Sequence, residues 1–127
     1  MKSPRIHRLG DLQLQILQVL WARQHATVAE VHEALQHREL AYTTIATMLR
    51  KMENRGLVRH HNEGRSFVYE PAVAADAVSR SMANHVVDKL YAGSLSSLVN
   101  HLLTSRDVSP DELARLEKLI AHHKKHK

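Results

Sequence analysis

Thr43, Thr44, Thr47, Arg50, Lys51 and Asn54 are the residues of this chain whose types and spacing best suit them to do chemistry. At about 100° per residue, Thr43, Thr47, Arg50 and Asn54 fall on one side of a helix, with Thr44 and Lys51 flanking them. Ile45, Met48, Leu49 and Met52 gather on the other side. An outer face that is small, polar and cationic suits duplex DNA. Threonine offers hydroxyls to phosphates and methyls to thymine, while Arg and Lys reach phosphates or guanine edges in a major groove wide enough for a helix. Tyr42, at the head of the segment, belongs with this set. A solvated face with no partner would show the same pattern, so the neighbouring elements must decide.

Two other groups of residues invite chemistry. Among eleven histidines, His122 and His126 stand four apart and can share a helix face, with His123 beside them and His60-His61 earlier in the chain. That spacing is usable by Zn or Ni. The tail has no carboxylate or cysteine to complete a shell, so no metal and no cofactor is expected, and 122–127 reads as a solvated basic end. His60, His61 and Arg65 suit an approach to phosphate, an attraction that grows as the imidazoles charge. Ser94, Ser96 and Ser97 form a helix cap and first turn, without a local base, an oxyanion loop or a glycine-rich phosphate cradle. No enzyme is expected.

The elements that position the polar face follow from periodicity. Residues 1–8 read as a basic arm. From Leu9 to Arg23, Leu9, Leu12, Ile16, Val19 and Leu20 form one apolar stripe and Leu14, Leu17 and Trp21 another, the broad face of a core helix. Thr27-Val28-Ala29-Glu30 is a capping box that opens a second helix, with Val28, Val31 and Leu35 inward. A connection over 36–40 leads to the polar-faced helix, which Gly56 can stop. Beyond it the period changes to alternation. Leu57–Asn62 and Ser66–Glu70 read as strands joined at Glu63-Gly64-Arg65, and Pro71 ends the second. Three helices followed by a hairpin are the layout of a winged helix-turn-helix over residues 9–71, in which the third helix reads DNA and the hairpin is the wing.

Three more helices are expected over 72–121. The first, from about Ala74 to Tyr91, carries Val78, Met82, Val86 and Leu90. Ser94 caps a second with Leu95, Leu98, Val99, Leu102 and Leu103. Ser109 as N-cap, Pro110 at the first position, Glu112 closing a capping box and Val108 stapling onto Leu113 start a third, continued by Leu116, Leu119 and Ile120. Such a thin layer hardly covers its own apolar side chains. It is therefore expected to form a homodimer through Val78, Met82, Val86, Leu90, Leu95, Leu98, Leu102, Leu113, Leu116 and Ile120, since a two-fold pair gains affinity from two half-sites. Folding back onto the first module is the alternative. The fold class is thus mainly α: a winged helix-turn-helix domain followed by a three-helix dimerisation region.

Composition agrees with a nucleic-acid partner. The 127 residues carry a formal charge of +5, of which residues 1–70 hold +3 and the rest +2, the latter owed to Lys124, Lys125 and Lys127. Zero cysteines exclude disulfides and thiolate metal sites. No stretch approaches the roughly 20 apolar residues of a membrane span, so a cytoplasmic protein without membrane insertion is expected. A winged-helix protein-interaction module without direct DNA binding is the competing function. The cationic, threonine-rich face and Arg65 argue against it, because protein interfaces favour apolar cores with aromatic anchors.

Several motifs together resemble the penicillinase repressor family: Leu9-Gly10-Asp11-Leu12-Gln13-Leu14, Val28-Ala29-Glu30-Val31, Ala41-Tyr42-Thr43-Thr44-Ile45, Gly56-Leu57-Val58-Arg59 and Gly64-Arg65-Ser66-Phe67-Val68-Tyr69-Glu70-Pro71. Asp88-Lys89-Leu90-Tyr91-Ala92-Gly93-Ser94-Leu95, Leu98-Val99 and Ser109-Pro110-Asp111-Glu112-Leu113 extend the resemblance, which runs in order from about Leu9 to Ile120. It implies a dimeric winged-helix repressor on a palindromic operator. It also implies removal when an antibiotic or stress signal reaches a partner membrane sensor protease. Members cut in this way typically carry an Asn-Phe bond in the helix matching 95–104. Here His101-Leu102 falls there, and Asn100 precedes His101. The copper-responsive branch carries a C-terminal cysteine cluster that this chain lacks.

Overall fold

A computed structural model describes residues 8 to 126, so the expected arm, Arg8 apart, and Lys127 of the tail lie outside the described residues. The first helix, α1 (Asp11–Arg23), starts where the Gly10 amide donates to the Gln13 side-chain oxygen at 3.0 Å. This is the back-reaching half of a capping box, supplied by a residue the stripes did not flag. Ile16, Leu17 and Leu20 are fully buried from α1. In α2 (Val28–Ala34) the box is reciprocal: the Thr27 hydroxyl accepts from the Glu30 amide at 3.1 Å, and the Glu30 carboxylate accepts from the Thr27 amide at 2.8 Å. A 3-10 turn, Gln36–Arg38, then leads to α3 (Tyr42–Asn54), which buries Ile45, Leu49 and Met52.

Gly56, at φ 79°, releases the chain from α3 into a hairpin. Strand β1 is Ala26–Thr27, β2 is Val58–Glu63 and β3 is Ser66–Pro71, in the antiparallel order β1-β3-β2. Glu63 pairs with Ser66, so the turn is the two residues Gly64-Arg65 rather than the three expected. Gly64 at φ 61° occupies the first central position, where a type II′ turn needs a positive φ. Strand β1 was not anticipated, because two residues carry no alternation. Its pairing of Ala26 with Tyr69 and Thr27 with Val68 ties the start of α2 to the hairpin.

Helices α4 (Ala75–Leu90), α5 (Leu95–Ser105) and α6 (Pro110–Lys125) follow. Ser94 caps α5 by accepting from the Ser97 amide at 3.2 Å, and Ser109 caps α6 by accepting from the Glu112 amide at 3.1 Å. The second half of the α6 capping box is not made. Glu112 instead takes the Arg115 guanidinium at 2.6 Å, an i, i+3 ion pair that outcompetes the neutral cap. Two compact units divide between His85 and Val86, within α4. The first is a mainly helical winged-helix fold whose core gathers residues from α1, α2, α3 and the sheet. The second, taken by itself, has no buried residue among those described. No helix of the described residues is long and apolar enough to cross a membrane.

Candidate nucleic-acid interface

Helix α3 turns Tyr42, Thr43, Thr44, Thr47, Arg50, Lys51 and Asn54 outward, and all seven are exposed. A shallow recess of about 260 Å³ lies over Thr43, Thr44, Thr47, Met48 and Lys51. A groove of about 370 Å³ separates α3 from the hairpin, with Tyr42, Ala46 and Arg50 on one wall and Arg65, Ser66 and Phe67 on the other. Arg50 and Arg65 thus face one channel from two elements. Among the described residues, Arg50, Lys51 and Arg65 make no ion pair, which leaves their charge for an external anion.

Helix α3 is held at both ends. His32 Nε2 lies 2.8 Å from the Leu40 carbonyl oxygen, and its ring meets Tyr42 edge-on at 5.9 Å. Toward the other end, Gln13 donates to the Met48 sulfur at 3.6 Å and accepts from Arg55 at 3.3 Å. These contacts fix the angle at which the polar face leaves the domain.

His60 departs from expectation. Its Nδ1 lies 2.7 and 2.8 Å from the two oxygens of Glu53 on α3, and its amide donates to the same carboxylate at 3.3 Å. Its ring stacks on Phe67 at 4.3 Å and tilts against Tyr69 at 5.4 Å. A phosphate reaching this nitrogen would meet a carboxylate first, so Nδ1 of His60 is taken by Glu53 rather than offered to phosphate. His61 and Arg65 stay exposed. Burial and the Glu53 carboxylate push the Tyr69 hydroxyl up, with Arg50 opposing. Glu53 and Phe67 were missed in the sequence. The alternation of β2 held the signal: Val58 is buried, so His60, two residues on, shares its face, and Glu53 is one turn from buried Leu49.

The expected dimerisation residues divide. Val78 is 1% exposed in the single chain, so it has no surface left to offer a partner. Met82, Leu98 and Leu116 are half-buried, whereas Val86, Leu90, Leu95, Leu102, Leu113 and Ile120 are exposed, Leu90 at 72% and Leu95 at 63%. Asn100, His101 and Leu102 lie on exposed positions of α5, with His101 Nδ1 2.7 Å from the Tyr91 hydroxyl.

Residues 9–122 match the sequence model of the penicillinase repressor family. The chain belongs to the penicillinase repressor family. That family consists of DNA-binding transcriptional repressors, not enzymes. The penicillinase repressor of Bacillus licheniformis is 28% identical over 124 residues, covering 97% of each chain. Transcriptional regulator BlaI of Mycobacterium tuberculosis is 32% identical over 120 residues, covering 92% of this chain and 86% of the relative. Among solved structures, the DNA-binding domain of the repressor BlaI aligns with a TM-score of 0.51 at 33% identity, over 59% of this chain and 90% of that one. A MarR variant from E. coli in complex with operator DNA aligns with a TM-score of 0.52 at 18% identity, over 91% and 75%, a likeness of fold.

Proposed function

We propose that this member of the family is a repressor that binds a palindromic operator as a homodimer. The observation that carries the reading is α3, which turns Thr43, Thr44, Thr47, Arg50, Lys51 and Asn54 outward, with Arg50 lining one groove together with Arg65 of the wing. The threonines and Asn54 suit base edges, and the cations suit phosphates or guanine. Exposed apolar residues on α5 and α6, in a unit with no buried residue among those described, support pairing with a second copy. On this reading residues 9–71 form the DNA-binding module, 72–121 the dimerisation region, and the protein acts in the cytoplasm, where its DNA is.

Relief of repression is proposed to come from a membrane sensor protease that responds to a β-lactam or other stress and cuts within residues 100–102. Severing α5 would part the two modules and remove two-site avidity. Sequencing DNA crosslinked to the protein in cells tests the whole reading. It should return a two-fold symmetric site with half-sites about one or two helical turns apart. Uniform recovery of the genome would overturn it. A protein-interaction module on the same fold has no supporting observation of equal weight.

A further inference from the structure

We propose that Glu53 and His60 are a positioning pair that sets the wing against the reading helix, a role that rests on the DNA-binding reading above. Glu53 is out of place by charge. It puts a carboxylate on a helix whose neighbouring outward groups are Arg50, Lys51 and Asn54, where an anion repels phosphate. The geometry gives it another task. Its two oxygens hold His60 Nδ1 at 2.7 and 2.8 Å and take the His60 amide at 3.3 Å, so one carboxylate fastens both ring and backbone of β2 to α3. Phe67 stacks on the imidazole from β3, and Tyr69 of the same strand tilts against it.

The contact matters because of where it stands. From His61 through Phe67 every residue is exposed, so no core packing restrains the tip from the α3 side. The tip carries Arg65, about five residues beyond His60. At roughly 3.3 Å per residue the lever is about 15 Å, so a tilt of about 10° at His60 would carry the guanidinium roughly 2–3 Å. That displacement exceeds the tolerance of a hydrogen bond to phosphate. The charged and titratable groups that face His60 are Glu53 from α3 and Tyr69 from β3, with Arg50 near Tyr69.

The test uses the full chain and a 30-base-pair random-sequence duplex, read by fluorescence anisotropy across a salt series, with thermal melts to check folding. Loss of a carboxylate by charge alone predicts tighter binding for Glu53→Ala. The positioning role predicts weaker binding, with a salt slope lower by about one per chain as the wing contact is lost. In an Arg65→Ala background, Glu53→Ala should weaken binding no further. His60→Ala should behave as Glu53→Ala does, while His60→Asn, whose amide N–H can replace Nδ1–H, should restore binding. Tighter binding by Glu53→Ala, or an equal loss with and without Arg65, would overturn the pair. Should Glu53→Ala fail to fold, the two His60 variants decide alone. Wild type failing to bind at any salt overturns the DNA-binding reading itself.

Discussion

The Trp21 indole N–H donates to the Val73 carbonyl at 2.9 Å, joining α1 to the segment that leaves β3 across 52 residues of sequence. Trp21 is half-buried, so the bond is partly shielded from water and the carbonyl has no equal replacement if the donor goes. Trp21→Phe keeps an aromatic ring but removes the donor. It should destabilise the first unit by about 1 to 2 kcal/mol, measured by circular-dichroism melting.

Acid should loosen the start of α2. The Thr27 amide, and then its hydroxyl, hold the Glu30 carboxyl below the usual carboxylate range, against a small opposing effect of burial. A depressed folded value means stability that is complete above the unfolded value and is lost as pH falls through the folded one. The difference in melting temperature between wild type and Glu30→Gln should therefore shrink below about pH 4.3. A difference that is constant through the acid range would show that Glu30 contributes nothing through its charge.

Much of this architecture was legible before any coordinate. The Thr27-Glu30 capping box, the Ser109 N-cap, the stripes of α1 and α3 and the change to alternation after Gly56 are local signals, and each survives in the structure. What escaped was set by partners distant in sequence. Strand β1 exists because Ala26 and Thr27 lie against Tyr69 and Val68, and two residues alone announce nothing. His60 looked like a phosphate ligand because its type suits one, whereas its place opposite Tyr69 and one strand step from buried Val58 turned it toward Glu53. Val78 shares its spacing with Met82 and Val86, and periodicity could not tell a core contact from a seam.

Within the reading helix, Arg50 and Lys51 should separate. Arg50 borders the groove shared with the wing, and Lys51 borders the recess above the threonines. Arg50→Ala should weaken binding to a mapped operator by about 1 to 3 kcal/mol and relax specificity at one position. Lys51→Ala should act alike on all sequences and mainly lower the salt slope. Wild-type binding by both variants would dismiss α3 as the reader.

Assembly should divide along the same line as burial. Val78→Ala empties a buried site in the first unit and should cost about 1 to 3 kcal/mol of folding stability without changing the state of association. Leu98→Asp and Leu116→Asp place charges at half-buried apolar positions of α5 and α6 and should shift a micromolar dimer to monomer, because burying an unpaired carboxylate in a seam costs several kcal/mol. Sedimentation reads both. Wild type running as a monomer would remove the seam.

Induction turns on whether α5 can be opened. The segment is exposed, but Thr104 donates its hydroxyl to the carbonyls of Asn100 and His101 at 3.0 Å, and His101 Nδ1 lies 2.7 Å from the Tyr91 hydroxyl. A helical bond must unwind before it enters a protease cleft, and these side-chain bonds add to that cost. They place the resistance on the very residues proposed to be cut, so weakening them should hasten cleavage without touching its position. Mass spectrometry of the protein from induced cells should find a fragment ending between Asn100 and Leu102, formed faster in Thr104→Ala and Tyr91→Phe than in wild type. Intact chain accompanying derepressed promoters would exclude proteolysis as the release step.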